Sequence, residues 1–280
     1  MTLRLLRIKL DTQQTLSDML PEYVEHQFLG GRGAATWLLA AHVPASVGPR
    51  SPSNMVVFSA GPLTGAIPAA TGGFMVTTRS PLTGSLAHSW AIGRWGAALR
   101  RSGFDLLTLE GQSADWCVVV VDNGQASLRP AGDLLGLDTF ATSQALEREL
   151  GPDFAVVAIG PAGEAGVAYS SIVAEGLFPA EPAGTGSVMA HKRVKAIAVR
   201  GAAKLSPADR PRVETVVAAV AKRSASSELA AGIRQYGGSL FFADAAARAG
   251  SLTGRNGQDA APEHLQSIER NMLAQRGQRK

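Results

Sequence analysis

The sequence predicts an α+β protein: a β-rich domain with flanking helices over residues 1–204, followed by a short helical segment over 205–280. Three observations carry this reading. Trp116 to Val121, Asp122-Asn-Gly and Ala126 to Leu128 form an apolar β-branched run, an Asn-Gly turn and a returning strand, which is a hairpin. Met55 to Thr78 is rich in Gly, Thr, Ala and Pro with short β-branched runs, the pattern of strands joined by tight turns. After Gly201 the texture changes, and Ser206 to Ala225 and Ser227 to Gly250 are alanine-rich with helical periodicity, Pro207 standing near the first start.

Taken in order, residues 3–10 alternate as a strand, and Leu16 to Leu29 carries apolar positions at helical spacing that stop at Gly30-Gly31. Val56-Val-Phe and Met75-Val-Thr-Thr are the next strands. Thr139 to Leu150 is an amphipathic helix ended by Gly151-Pro152, and Phe154 to Ile159 follows as a buried strand. Val194 to Arg200 closes the mixed region as a strand, and from Ser251 a Gly/Asn/Asp stretch leads into a charged helical segment. One echo stands out: Gly61-Pro-Leu-Thr-Gly65 recurs as Ser80-Pro-Leu-Thr-Gly84, which reads as two equivalent turns of a pseudo-symmetric sheet.

The 280 residues are 45% hydrophobic and 18% charged, a globular composition far from that of disorder. No apolar run approaches the roughly 18 residues that span a bilayer. Arg4, Arg7 and Lys9 interrupt the N-terminal apolar stretch, which therefore lacks a signal-peptide core, so the expected location is cytoplasmic. Of the net charge of +4, Leu265 to Lys280 contributes +3, so the rest is nearly neutral and has no basic stripe for nucleic acid. Cys117 alone allows no internal disulfide, no CxxC site and no cluster held by four thiolates of this chain, and it reads as a small buried hydrophobe. Gly31-Arg-Gly33 and Gly184-Thr-Gly186 begin a dinucleotide fingerprint but place Thr36 and Met189 where a third Gly or Ala is needed. A phosphate-binding GxxxxGK[ST], a zinc HExxH and a nucleophile-elbow GxSxG are all missing from the sequence. His26, His42, His88, His191 and His264 form no i, i+4 pair, so no metal site is expected from local spacing.

Six runs in order and spacing then point to a family: Leu29-Gly-Gly-Arg-Gly33, Ser59 to Gly65, Thr78 to Gly84, Gly103-Phe-Asp105 with Leu109-Glu-Gly111, Ile159-Gly-Pro-Ala-Gly-Glu164, and Val188-Met-Ala-His-Lys192 with Lys195 to Gly201. They resemble the N-terminal domain of the tungsten-containing aldehyde ferredoxin oxidoreductases. The resemblance spans residues 3 to about 202 and continues weakly through Ile233 to Gly237 and Ser251 to Asn256, like the entry to that family's helical domain. It implies two antiparallel-rich sheets about a pseudo-twofold axis, forming the base for a tungsten bis-pyranopterin cofactor. The cysteines that hold the family's iron-sulfur cluster are not in this sequence, so electron transfer to ferredoxin is not expected within this chain. The three cofactor loops also depart from the family pattern. Gly73 stands where the first loop has arginine. Trp90-Ala-Ile-Gly93 replaces an Asn-Ser-Gly-Gly stretch, and Phe178-Pro-Ala-Glu-Pro-Ala-Gly184 lacks both arginines of the third loop and adds Glu181. Burying pterin phosphates without guanidinium partners leaves on the order of several kcal/mol of charge uncompensated.

Three readings follow. In the first, the scaffold is repurposed as a cofactor-independent enzyme for a small organic substrate, performing isomerisation, cyclisation or dehydration by proton transfer. Its pocket is lined by Gly73, Phe74, Trp90, Ile92 and Phe178, with His88 or Glu181 as general base and Arg94 orienting a carboxylate or stabilising an enolate. No metal is called for. Against it, His88 and Arg94 also read as surface groups, Phe74 and Trp90 as core, and Glu181 as a solvated loop carboxylate. The second reading is a tungsten or molybdenum bis-pyranopterin subunit of a split oxidoreductase. The third is a non-catalytic scaffold. A homodimer or a partner subunit is expected to cover exposed apolar surface.

Overall fold

A computed structural model describes residues 2–67, 72–181, 183–236 and 238–259. The chain divides into two compact units, Met1–Ala208 and Asp209–Lys280.

The first unit is built from one six-stranded plan used twice. Its first half contains β1 (Arg4–Lys9), β2 (Gln14–Met19), α1 (Glu22–Phe28), α2 (Gly31–His42), β3 (Val56–Ala60), β4 (Phe74–Arg79), β5 (Leu86–Ala91), α3 (Trp95–Arg101) and β6 (Leu106–Glu110). Its second half contains β7 (Cys117–Asp122), β8 (Gln125–Pro130), α4 (Thr139–Leu150), β9 (Ala155–Ala158), α5 (Pro161–Glu164), β10 (Ile172–Ala174), β11 (Phe178–Ala180), α6 (Thr185–His191) and β12 (Val194–Arg200). The sheet orders are β2-β1-β6-β3-β4-β5 and β11-β10-β9-β12-β7-β8, so adding six to each strand number of the first sheet gives the second read backwards. Among the described residues only β1 with β6 and β7 with β12 pair in parallel, again in equivalent positions. The expected architecture of two sheets with flanking helices is what the chain adopts.

The duplication is not the one the echoed turns suggest. Gly61-Pro62 follows β3, and its counterpart after β9 is Gly160-Pro161, whereas Ser80-Pro81 lies between β4 and β5 of the same sheet. The two turns share only local form, Gly65 and Gly84 having φ of 69° and 71°.

A second correction concerns Leu16 to Leu29. Residues Gln14–Met19 pair antiparallel with β1, and the helix begins only at Glu22. Pro21 is the reason: its fixed φ of −54° and the restriction it imposes on Leu20 end the extended segment and start α1, so the apparent helical spacing spans two elements. Helix α2 has no expectation to confirm, because Gly30 caps it without a side chain and its first turn is glycine-rich. The hairpin of β7 and β8, helix α4 and strand β12 match their expected positions.

Strand alternation sorts side chains to two faces. Leu6, Ile8, Val56, Phe58, Phe74 and Val76 enter a core shared with Val119, Val157, Ile197 and Val199 of the second sheet. Leu5 and Val57 face the other way, against Val24 of α1 and Ala34, Ala35 and Leu38 of α2. Helix α4 covers the outer face of the second sheet through Leu146 against Val156 and Ala198. Trp95 is fully buried in the shared core, its ring centroid 5.2 Å from Phe58 and 4.9 Å from Phe74, and its indole N–H donates to the Ile197 carbonyl at 3.1 Å. The lysines of the Val188 to Lys195 run are buried as well. Lys192 Nζ donates to the carbonyls of Pro52 and Gly111 at 3.1 and 2.8 Å, and burial pushes its ammonium down to about 8. Lys195 pairs with Glu164 and donates to the Leu137 carbonyl at 2.8 Å.

The second unit contains α7 (Arg210–Ala225), α8 (Glu228–Gln235) and α9 (Ala243–Arg248). Asp209 and Ser227 cap the first two, accepting from the amides of Arg212 and Ala230. The segment expected to be helical from Ser227 to Gly250 is interrupted at Gly238, with φ of 115°, and continues through a short 3₁₀ turn. The charged segment expected near the C-terminus lies outside the described residues. Among the described residues no helix is long and apolar enough to cross a membrane.

Removing the Trp95 side chain should create a large cavity and remove the indole hydrogen bond to the Ile197 carbonyl. Trp95→Ala is expected to cost about 3–5 kcal/mol in urea unfolding and Trp95→Phe distinctly less. Equal midpoints for both variants and the parent chain would show that the indole is not the fastening of the two sheets.

Candidate functional site

The three segments singled out by sequence meet at one end of the first unit. Strand β4 pairs with β5 so that Phe74 faces Ala91 and Met75 faces Trp90. The end of β11 is joined to β5 by a further antiparallel bridge, Trp90 to Glu181, so the two sheets touch edge to edge there. A Cβ added at Gly72 would stand 2.9 Å from the Gly93 carbonyl, which shows how closely the first two segments run.

The pleat separates side chains that the loops bring together. Phe74 points inward and is buried against Trp95, while Trp90, its near neighbour in the sheet, points outward and is 55% exposed. Phe178 is half-buried against the shared core, and Ile92 and Glu181 are exposed. Gly73 has a specific partner: a Cβ there would come within 2.7 Å of indole atoms Cε2 and Cζ2 of Trp90, so the bare backbone at 73 is what lets the indole lie across it.

Arg94 faces a different region. Its guanidinium donates to Glu147 at 3.0 Å and to the Pro152 carbonyl at 3.1 Å, and its backbone N–H donates to Glu175 at 2.5 Å. It borders a groove of about 830 Å³ together with Ala97, Arg101, Asp153 and Arg200. Glu175, which the sequence reading passed over, reaches from the start of the β10–β11 turn to the Gly93–Arg94 backbone and fastens the second segment to the second sheet. Arg94 and His88 are therefore not brought together.

His88 lies on the outward face of β5, two residues from Trp90, under α2. Its Nδ1 is 3.0 Å from Thr77 Oγ1 and its Nε2 is 3.5 Å from Thr36 Oγ1. Burial, reinforced by the nearby Arg32 guanidinium, holds its pKa below the ordinary 6.5, so the ring is neutral at neutral pH. Arg32, whose charge bears on His88, also borders a cavity of about 390 Å³ with Gly31, Ser59, Gly61, Met75 and Trp90 among others, which His88 itself does not line. Arg32, Ser59, Thr36 and Thr77 were missed by sequence reasoning. Ser59 and Thr77 share the strand parity that turns Val57 and Met75 toward α2, whereas Arg32 and Thr36 lie on α2 itself, a helix the sequence did not announce. Among the described residues no group of three or more His, Cys, Asp or Glu side chains is assembled.

Two outcomes are expected. Gly73→Ala should displace the indole and destabilise the fold by about 1–3 kcal/mol, and the loss should largely vanish in a Trp90→Ala background. A double-mutant cycle by urea unfolding measures this, and additive losses would sink it. For His88, a folded pKa below the unfolded value means that the unfolded chain binds more protons in acid. The contribution of His88 to stability is therefore intact above about 6.5 and declines as pH falls through that value. His88→Gln should flatten that part of a stability-versus-pH curve.

Residues 5–201 match the family described as aldehyde ferredoxin oxidoreductase, N-terminal domain. The chain is 31% identical over 262 residues to the tungsten-containing aldehyde ferredoxin oxidoreductase of Thermococcus kodakarensis, covering 93% of this chain and 43% of that protein. It is 32% identical over 236 residues to the Pyrococcus furiosus protein of the same name, covering 84% and 39%. The chain thus spans about two-fifths of the length of these curated relatives. A solved structure, the active site complex BamBC of benzoyl coenzyme A reductase in complex with 1,5-dienoyl-CoA, is similar with a TM-score of 0.77 and 30% identity, covering 80% of this chain and 35% of that one. On its motifs, its duplicated sheets and these matches, the chain belongs to the aldehyde ferredoxin oxidoreductase N-terminal domain family.

Proposed function

We propose that this chain is an aldehyde ferredoxin oxidoreductase-type scaffold whose outward loop face binds a small organic substrate and moves a proton on it without a cofactor, with His88 as the general base. The observation that carries the reading is the neutral imidazole of His88, set on the same sheet face as the exposed Trp90 and close to Arg32, which borders the cavity at the start of α2. A general base must be unprotonated near neutral pH and held in one orientation. Burial with Arg32 meets the first condition and the Thr77 contact at Nδ1 the second. Arg32, at the cavity, takes the orienting part that sequence reasoning gave to Arg94, which is occupied by Glu147 and Glu175. Glu181, bridged to Trp90, is the second candidate base.

The residues present do not fit a tungsten or molybdenum bis-pyranopterin. The Trp90 indole lies over Gly73, where the family's arginine would meet the ligand, and Glu181 adds a carboxylate at the edge where anionic phosphates would sit. The exposed apolar side chains Trp90, Ile92, Tyr169 and Leu177 support a further part of the proposal, a second copy or a partner subunit seated on the chain.

The test has two arms. Protein purified from cells supplied with tungstate and molybdate should carry neither metal in stoichiometric amount, and a stoichiometric signal overturns the reading. Incubation in D₂O with a panel of small keto and hydroxy acids should reveal deuterium incorporation by NMR. His88→Gln should slow that exchange by about 10²–10⁴. The rate should rise with pH through a value below the 6.5 of an ordinary imidazole, and full exchange by His88→Gln would remove the assigned base.

A further inference from the structure

We infer that the start of α2, Arg32 and Ser59 together form an oxyanion subsite, which takes the phosphate or carboxylate of the substrate while the Trp90 indole covers its organic part. This rests on the proposed reading for the word substrate, but the binding itself requires no catalysis.

The first support is the helix terminus. Helix α2 runs for 12 residues, its cap Gly30 has no side chain, and its first internal amide bond is Ala34 N–H to the Gly30 carbonyl at 3.3 Å. The amides of Gly31, Arg32 and Gly33 have no acceptor among the described residues. An uncapped terminus of this kind presents several N–H groups and the positive end of the helix dipole to the same point. The glycines fit the backbone there. Gly31 has φ of +51°, which favours glycine, and a Cβ at Gly33 would stand 2.8 Å from the Phe28 carbonyl, so its absence lets α2 start close against the end of α1.

The second support is independent of the helix. Ser59 is 1% exposed, and its hydroxyl has no hydrogen-bond partner among the described residues. It stands on the α2-facing side of β3 and borders the same cavity of about 390 Å³ as Gly31 and Arg32. A buried hydroxyl without a partner is unfavourable in a native protein and points to a group that completes it. A hydroxyl donor, free helix amides and a guanidinium are all donors, so the matching ligand atom is an acceptor carrying negative charge. Arg32 itself is exposed and makes no hydrogen bond through its guanidinium among the described residues, leaving its planar fork for a phosphate or carboxylate. Trp90 borders the same cavity and offers an aromatic surface for the organic part that the anion carries.

The experiment is a fluorescence titration of the full chain at constant ionic strength with inorganic phosphate, phenyl phosphate, benzoate and uncharged benzyl alcohol, with Trp90→Phe assigning the signal. Phenyl phosphate or benzoate should bind, and benzyl alcohol should bind about tenfold more weakly or not at all. Arg32→Gln should weaken the anion by about tenfold or more. Ser59→Ala should weaken it severalfold without lowering the unfolding midpoint, because it removes an unsatisfied hydroxyl rather than a contact. Tighter phenyl phosphate assigns a phosphorylated ligand and tighter benzoate a carboxylate. Absence of anion binding, equal binding of benzyl alcohol, or unchanged affinity in both variants overturns the subsite. Binding is read without turnover, so anion binding with no deuterium exchange sinks only the catalytic reading, and exchange on substrates without anion dependence sinks only this one.

Discussion

The architecture depends on the indole of Trp95 holding the two sheets at one separation. The ring is fully buried between Phe58 and Phe74 of the first sheet, and its N–H donates to the Ile197 carbonyl of the second. Both the apolar contact and the polar one would be lost if the sheets slid, so the core fixes their register. Helix α3 begins at Trp95, directly after the segment that leaves β5. Fastening that helix to β12 therefore also sets where β5 ends, and the Trp90 to Glu181 bridge and the Glu175 contact with the Arg94 amide follow from it. The candidate site is thus positioned from below by the packing of the core.

The same pleat that builds the core divides the site. A residue at one parity joins the inter-sheet core and its neighbour at the other parity faces α2. This is why Phe74 and Trp90, adjacent across β4 and β5, end in different environments, and why His88, Thr77 and Ser59 gather on one face although they lie on three strands. On that face Gly73 and Trp90 act as a pair. The missing side chain of one makes room for the indole of the other, so two departures from the family's loop pattern become one structural event.

Retained and altered residues meet at one cavity, where Arg32 and Ser59 of the family motifs stand with the altered Gly73 and Trp90. Most of the other family motifs are spent on the scaffold. Lys192 and Lys195 satisfy buried carbonyls and Glu164, and Gly30 to Gly33 fit the start of α2 against the β3 turn. The altered residues stand on the loop face, where changes cost little core packing. A fold kept by its buried groups and changed at its rim fits the principle that function is carried by sites grafted on a scaffold.

Sequence by itself determined the elements whose instructions are local. Four consecutive valines before Asn123-Gly124 specify a hairpin because that turn needs positive φ at both positions, and the two residues have φ of 48° and 91°. Helix α4 is legible from the Asp138 cap, which accepts from the Ala141 amide, and from its Gly151 stop. The β2–α1 boundary was hidden because a chance helical spacing crosses Pro21, and α2 because a glycine cap leaves no side-chain signal. Family likeness located the three loops, yet only tertiary structure decided which of their side chains share a space. Parity about a strand is set by pairing with distant segments, so Arg94 turned to Glu147 while Arg32 and Ser59, 27 positions apart in the chain, came to border one cavity. Such neighbours are chosen by sheet register and helix docking, which arise from burial of the whole face and leave no mark in the local sequence.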